Sequence, residues 1–207
     1  MIPRVRTAAA CSSPGRVRHD AGGATGQAPL TGELRVRRLG RVDAESYRAL
    51  RLRGLIESPE AFGSTVDEDS ALTFDAVAAR IEHSVEAGQA TYGAFSESSL
   101  IGIVGCMRVR KTKSRHRAIV LGMYVAPEAR HRGAGRLLLE QLIADVRTWP
   151  GVEWLTLTVV ERAHAAHSLY IAMGFREWGR EVDGLRDGDE RDTVVHMALP
   201  LTHQVMG

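Results

Sequence analysis

The fold of this chain is decided at Gly122-Met123-Tyr124-Val125-Ala126-Pro127-Glu128-Ala129-Arg130-His131-Arg132-Gly133-Ala134-Gly135-Arg136. An apolar strand pattern runs into an Arg/Gly turn here, and the turn opens a leucine-rich helix pattern. The first amides of a helix have no partner within it and point outward, with the positive end of the helix dipole behind them. Gly133 and Gly135 remove side chains that would keep a phosphate from the backbone, and arginines surround the turn. The stretch therefore predicts a binding site for a pyrophosphate group.

The net charge is spread unevenly along the 207 residues. Residues 1–32 hold four arginines against the single acid Asp20, so they contribute +3 to the total of +2 and leave −1 for the rest. A nearly neutral body does not favour binding of nucleic acid. The arginines of the turn therefore indicate a local anionic ligand.

Cysteine usage and hydropathy point to the cytoplasm. Cys11 and Cys106 do not make a disulfide framework, and Cys106 lies in an apolar run typical of a buried thiol. No apolar run approaches the ~18 to 20 residues of a membrane span. We therefore expect a cytoplasmic protein without a membrane partner.

Residues 1–32 differ in composition from the rest of the chain, being rich in Ala, Gly, Ser, Pro and Arg without apolar periodicity. We interpret them as a disordered N-terminal extension or the product of a misassigned start codon, although an Arg-rich, acid-poor leader also resembles a transit peptide. The sequence thus predicts an extension over 1–32 and one folded domain over 33–207.

Within 33–207, strand patterns alternate with amphipathic helix patterns. Strands are predicted at 33–39, 91–95, 100–109, 118–125, 154–160, 175–182 and 193–199. Helices are predicted at 44–57, 74–86, 135–149 and 163–173. Asp43 and Thr73 are expected to cap the first two helices, and Ser58-Pro59 is expected to end the first. Meandering strands with two crossover helices predict a mixed sheet covered by helices.

Three motifs stand in a distinctive order along the chain. The N-terminal helix pattern ends in Ser58-Pro59-Glu60-Ala61-Phe62-Gly63-Ser64. Arg130-x-x-Gly133-x-Gly135 follows an apolar strand and precedes a leucine-rich helix. Leu169-Tyr170-x-x-x-Gly174-Phe175 follows a Thr/Val-rich strand. In this order and at this spacing, they resemble the GCN5-related N-acetyltransferase (GNAT) superfamily over about four fifths of the chain. The resemblance implies an α/β (α+β) fold with a mixed, mostly antiparallel central sheet of about seven strands, flanked by about four helices and splayed between the fourth and fifth strands.

The resemblance also implies that acetyl-CoA is the co-substrate. Its pantetheine arm would pair with the strand edge at Met123, Tyr124 and Val125, and an amide near Tyr124 or Val125 would polarise the thioester carbonyl. The pyrophosphate site would comprise the Arg/Gly turn: Arg130, His131, Arg132, Gly133, Ala134, Gly135 and Arg136.

The implied reaction is direct acetyl transfer to a primary amine of a small molecule or peptide. Tyr170 matches the family's general acid for the departing thiolate, although its helical spacing also suits core packing. Glu161 is a candidate base, as is Glu68, and a chain of water molecules is an alternative. Phe62, Ser64 and Glu68 lie in or just after the loop that would contact the acceptor.

One position departs from the family pattern, since many relatives have Asn where this chain has Ala163. His167 or His164 would then supply the lost cofactor contact. The two histidines stand three apart, but no third ligand accompanies them, so no metal is expected.

Several alternatives remain open from the sequence. A non-catalytic acyl-CoA-binding module of the same fold is the alternative function, and the protein is expected to be a monomer or homodimer. The basic run 108–117 reads as a solvated loop, a contact for the adenosine 3′-phosphate or an acidic acceptor, or a contact for nucleic acid. The acidic loop 183–190 reads as an attractor for a cationic amine or an ordinary hairpin tip.

Overall fold

A computed structural model describes residues 33–82 and 88–201, and the predicted extension over 1–32 lies outside these ranges. The strands are β1 (Leu34–Arg38), β2 (Gln89–Ser96), β3 (Ser99–Arg108), β4 (Arg117–Val125), β5 (Trp154–Val160), β6 (Arg176–Asp187) and β7 (Glu190–Pro200). The α-helices are α1 (Ala44–Glu57), α2 (Val66–Ser70), α3 (Phe74–Ile81), α4 (Ala134–Val146) and α5 (His164–Ala172).

The strands form one seven-stranded sheet in the order β1-β2-β3-β4-β5-β7-β6. Neighbouring strands are antiparallel except β4 and β5, which run parallel because α4 crosses over between them. The predicted mixed, mostly antiparallel sheet is therefore confirmed.

Each face of the sheet has its own apolar core. On one face α4 and α5 pack over the strands, and Leu138, Leu139 and Leu142 of α4 are completely buried. On the other face lie α1 and α3, which contribute Tyr47 and Ile81. The periodic apolar stripes of these helices explain this two-sided packing.

Two helix ends were predicted correctly. Thr73 caps α3, since its hydroxyl accepts a hydrogen bond from the amide of Ala76 at 3.2 Å. α1 ends at Glu57, immediately before the predicted Ser58-Pro59 stop.

Several local predictions were wrong, including the end of α4, which lies at Val146 rather than residue 149. The Asp43 carboxylate does not cap α1, because it accepts two hydrogen bonds from Arg37 at 2.7 and 2.8 Å and one from the amide of Gly40 at 3.0 Å. α3 ends at Ile81 rather than residue 86, since Glu82 has extended backbone angles; residues 83–87 lie outside the described ranges. The short helix α2 was not predicted.

Across residues 33–82 and 88–201, no helix combines the length and the apolar character needed to cross a lipid bilayer.

Candidate active site

The sheet opens between β4 and β5. Only residues 117–119 of β4 pair with β5, opposite residues 154–156. Beyond that point β4 remains paired with β3, and β5 remains paired with β7. The predicted splay is therefore present, and the later residues of β4 and β5 border a gap through the sheet.

A β-bulge lies in β4 where it borders this gap. Val104 of β3 faces two residues of β4, because Ile103 pairs with Tyr124 and Gly105 pairs with Leu121. Gly122 adopts the left-handed conformation with a φ of 57°, which glycine tolerates best. The bulge re-aims the backbone amides that follow it.

Met123, Tyr124 and Val125, the predicted contacts for the pantetheine arm, come directly after Gly122 in the bulge. Met123 and Val125 are half-buried, whereas the Tyr124 side chain is buried and its hydroxyl donates to Glu57 Oε2 at 2.5 Å. Burial and the neighbouring Glu57 carboxylate raise the pKa of Tyr124. The Tyr124 side chain is thus engaged in the α1 face of the core.

The Arg/Gly turn joins β4 to α4 through two residues with positive φ, His131 at 59° and Gly133 at 84°. Gly133 is the N-cap of α4 and no side chain caps the helix, so its first amides are not used by a neighbouring side chain. A Cβ on Gly133 would meet no atom within 4 Å. The turn therefore has the open backbone that an anion needs.

The arginines of the turn differ in their contacts. Arg130 Nε donates to the carbonyl of Val125 at 3.0 Å and so ties the turn to the end of β4. Arg136 is exposed and pairs with Glu140 of α4 at 2.8 Å, while Arg132 is half-buried.

The small residues Ala134 and Gly135 allow the first turn of α4 to pack closely against β4 and α5. Ala134 is buried, and a Cβ on Gly135 would lie 3.1 Å from Leu169 Cδ2 and 3.2 Å from Met123 Cε. The start of α4 is consequently in close contact with both the bulged strand and α5, the helix that carries Tyr170.

Tyr170 is buried on the α4–α5 face of the sheet, 5 % exposed, with its ring edge-on to Phe175 at 5.8 Å between centroids. Its hydroxyl makes no hydrogen bond to any residue that the structure describes. Burial raises the pKa of Tyr170, so the phenol keeps its proton. The predicted core packing of the Tyr170 ring is therefore confirmed, and its hydroxyl has no protein partner among the described residues.

Ala163 and His167 lie at the start of α5, ahead of Tyr170. Ala163 is the N-cap of α5 and provides no side-chain cap. His167 is half-buried, with its Nε2 3.9 Å from Glu177 Oε2.

Glu161 follows β5 and is half-exposed, with its carboxylate in an ion pair with Arg180. This pairing occupies one carboxylate oxygen. A proton-accepting role for Glu161 would therefore have to compete with Arg180.

Among the predicted acceptor residues, the structure brings Phe62 and Ser64 together and leaves Glu68 apart. Phe62 packs beside Tyr124 with 6.2 Å between ring centroids, and Ser64 Oγ donates to Asp69 Oδ2 at 2.7 Å. Glu68 is exposed and closes a capping box with Thr65, whose amide donates to Glu68 Oε2 at 2.8 Å. Phe62 and Ser64 line a cavity, and Glu68 does not.

This cavity, of about 510 Å³, lies on the α1–α3 face of the sheet. Its wall includes Leu121 and Gly122, which stand on β4 beyond the last pair with β5, so the cavity reaches the strand that borders the gap. The lining residues are Tyr47, Arg51, Phe62, Gly63, Ser64, Arg80, Gln89, Thr91, Val104, Gly105, Cys106, Met107, Leu121 and Gly122. Tyr170 packs in the core of the α4–α5 face, whereas this cavity lies on the α1–α3 face.

Sequence reasoning missed the charged residues of this cavity. Arg51 follows Tyr47 by one helical turn on the inward face of α1, and this spacing was the only available signal. Its partners lie far along the chain: Arg51 Nε donates to Asp69 Oδ2 at 2.9 Å, and Arg80 pairs with Asp69 Oδ1.

Asp69 anchors this cluster with a side chain that is only 4 % exposed. Burial by itself would raise the pKa of Asp69, but hydrogen bonds from Arg51, Ser64 and Arg80 outweigh it and hold the pKa below its ordinary value. Because the folded-state pKa is the lower one, the ionised group stabilises the fold above about pH 4, and this contribution is lost as the pH falls through the folded-state pKa.

Replacing Asp69 with Asn is expected to reduce the free energy of unfolding by about 2–3 kcal/mol at neutral pH, since two guanidinium groups lose their shared carboxylate. Denaturant titrations from pH 7 downward measure this, and the difference from the parent protein should shrink below about pH 4. The exposed neighbour Asp67, replaced by Asn, is the matched control. Equal stability of the Asp69→Asn variant and the parent protein at pH 7 would contradict the role given to the cluster.

No group of three or more His, Cys, Asp or Glu side chains suited to a metal ion occurs within residues 33–82 and 88–201.

Comparisons with known proteins agree with this architecture. Residues 56–175, more than half of the chain, match the acetyltransferase (GNAT) family. A curated relative, the [ribosomal protein bS18]-alanine N-acetyltransferase of Salmonella typhimurium, is 34 % identical over 85 residues, which are 41 % of this chain and 57 % of the relative. The chain thus aligns with little more than half of that relative's length.

Solved structures share the fold. A GNAT-family acetyltransferase from Streptococcus pneumoniae superposes with a TM-score of 0.71 at 24 % identity, over 82 % of this chain and 100 % of that one. The acetyltransferase yncA of Salmonella typhimurium, solved with acetyl-CoA, has a TM-score of 0.72 at 17 % identity, over 83 % of this chain and 96 % of that one.

Proposed function

The chain belongs to the acetyltransferase (GNAT) family, and from that premise we propose that it transfers the acetyl group of acetyl-CoA directly to a primary amine of a small molecule or peptide. The observation that carries the proposal is the separation of β4 from β5 beyond residue 119, which leaves an edge of β4 that leads to the Arg/Gly turn and borders the cavity. Tyr170 would approach this edge from the α4–α5 face. A donor and an acceptor can therefore approach the same strand edge from different sides.

The residues of the turn fit the anionic part of acetyl-CoA. Space is open around the α-carbon of Gly133, and α4 begins without a side-chain cap. The backbone from His131 to Arg136 would hold the pyrophosphate, and the edge at Met123–Val125 would hold the pantetheine arm. When bound, acetyl-CoA supplies an activated thioester.

The protein's own groups would then act on three atoms. A backbone amide near Tyr124 or Val125 would polarise the thioester carbonyl oxygen, helped by the bulge at Gly122. The Tyr170 hydroxyl would give its proton to the departing sulfur. The amine must lose a proton to be acylated, and Glu161 or a chain of water molecules would receive it.

We further propose that residues 33–207 form the catalytic domain and that the enzyme acts in the cytoplasm as a monomer or homodimer. The thiol of Cys106 is buried, and burial raises its pKa to about 12, so it stays protonated and unreactive.

Incubating the purified full-length protein with acetyl-CoA and a panel of amines, including a peptide that begins with alanine, tests the proposal. We expect release of the CoA thiol above the amine-free rate, together with a product heavier by one acetyl group. Tight binding of acetyl-CoA without thiol release on any amine would contradict catalysis and favour the alternative, a non-catalytic acyl-CoA-binding module.

A further inference from the structure

The cavity on the α1–α3 face, here called the acceptor-side cavity, is lined by positive charge only, among the residues that the structure describes. Its wall holds two guanidinium groups, those of Arg51 and Arg80, and no carboxylate among the described residues. The nearest acid, Asp69, lies behind the wall, and both of its oxygens are engaged by the two arginines and Ser64. Two cations against one anion leave the cluster with an excess of one positive charge.

Arg51 is held in a fixed pose that leaves part of its guanidinium available. Nε donates to Asp69 Oδ2 at 2.9 Å and Nη2 donates to Ser64 Oγ at 2.9 Å, while the guanidinium carbon sits 4.9 Å from the centroid of the Phe62 ring. Nη1 makes no hydrogen bond that meets geometric criteria within the described residues, and the nearby Tyr47 side chain also interacts with the guanidinium. The Arg51 side chain is only 14 % exposed overall, but Nη1 is reached by solvent in the cavity.

The Nη1 end of Arg51 lies against the β4 bulge. Nη1 lies 2.9 Å from the position that a Cβ on Gly122 would take, which puts it beside the β4 bulge. A ligand atom bound at Nη1 would therefore sit next to the strand edge that borders the gap. Groups a few bonds away on the same ligand would reach the gap itself.

We infer that the acetyl acceptor is a small amine that also carries a carboxylate, as an amino acid does, and that Arg51 with Arg80 binds the carboxylate. The inference rests on the proposed acetyl transfer and names its substrate class. Guanidinium groups match carboxylates in geometry and stay charged at any relevant pH. A cavity of about 510 Å³ suits a small molecule, and an excess positive charge disfavours polyamines.

Matched pairs of acceptors test the substrate class. Phenylalanine and phenethylamine, leucine and 3-methylbutylamine, and methionine and 3-(methylthio)propylamine differ only in the carboxylate. With saturating acetyl-CoA, kcat/KM should be about ten- to a hundredfold higher for the amino acid of at least one pair, and higher than for an alanine-initiated peptide. Equal or faster acetylation of the decarboxylated amines, or of the peptide, would overturn the inference while leaving the proposed activity intact.

Variants locate the effect. Arg51→Gln and Arg80→Gln should remove most of the preference for the amino acid by raising its KM. Arg51→Lys should retain part of the preference, because lysine keeps the positive charge but lacks the paired N–H donors of the guanidinium. Arg35→Gln, at an exposed arginine on β1 outside the cavity, should leave the preference unchanged. Thermal melting and acetyl-CoA binding report on the fold of each variant. A preference that survives in folded Arg51→Gln and Arg80→Gln variants would contradict the assignment.

A direct binding measurement separates the inference from the proposed activity. Calorimetric titration of the protein–CoA complex with the amino acid should show binding that weakens about tenfold or more in Arg51→Gln. Binding of this kind without any turnover would refute the transferase activity and keep the carboxylate site. Absence of both binding and turnover for all three amino acids would refute the carboxylate site.

Discussion

Replacing Tyr170 with Phe is expected to lower kcat about a hundredfold or more while leaving the Kd of acetyl-CoA unchanged. The hydroxyl would be the proton donor to the departing thiolate, and no described residue hydrogen-bonds it, so its loss removes a catalytic group without breaking a structural contact. Steady-state kinetics on the best acceptor, together with acetyl-CoA binding, measure the two effects separately.

The pH profile gives a second readout for the Tyr170 prediction. Burial raises the pKa of Tyr170, so the phenol stays protonated throughout the ordinary range and should cause no decline in kcat below about pH 10. Tyr92→Phe is the matched control, because the Tyr92 hydroxyl bonds Asp145 in the core: we expect lower stability with kcat retained. An unchanged kcat in the Tyr170→Phe enzyme would remove Tyr170 from the mechanism.

Replacing Gly133 with Val is expected to raise the Kd of acetyl-CoA about tenfold or more. The φ of 84° puts Gly133 in the left-handed region, where a side chain costs about 1–2 kcal/mol and a β-branched one more. A valine would also place two methyl groups in the open space beside the start of α4, where the pyrophosphate is expected to bind. Equilibrium titration with acetyl-CoA measures the loss.

Two further variants separate the causes of that effect. Gly133→Asn should give an intermediate Kd, because Asn tolerates the left-handed conformation better than Val does. Gly179→Val on β6 is the control, since Gly179 has no positive φ and a Cβ there would meet no atom within 4 Å. Unaltered acetyl-CoA affinity in the Gly133→Val protein would refute the turn as the anion site.

Local patterns accounted for most of the fold, and their limits have physical causes. The Arg/Gly turn and the Leu-Tyr-x-x-x-Gly-Phe segment are contiguous, so their chemistry can be read along the chain. Helix α2 was missed because its five residues, four of them polar, have no apolar period, although Thr65 and Glu68 form a capping box that is readable in sequence. Asp43 was misassigned because Arg37 competes for the same carboxylate.

The cavity on the α1–α3 face could not be predicted from local patterns, because its lining residues come from distant parts of the chain. Arg51, Arg80 and Asp69 are charged residues whose spacing along the chain is typical of solvated surface. Only the packing of α1, α2 and α3 brings them together, with the two arginines in the cavity wall and Asp69 behind it. The adjacent acids Glu68 and Asp69 illustrate this limit of prediction from sequence. Glu68 accepts a hydrogen bond in the capping box of α2, whereas Asp69 accepts hydrogen bonds within the buried cluster behind the cavity.

Only three residue pairs join β4 to β5, and the two halves of the chain on either side of this junction supply different parts of the proposed site. Every described residue of the acceptor cavity comes from the chain before α4, whereas Tyr170 and Glu161 come from the chain after it. Substitutions that reshape the cavity therefore fall in a different part of the chain from Tyr170 and Glu161. Under the proposed mechanism, exchange of the chain before α4 would change the acceptor cavity and keep the proposed proton donor.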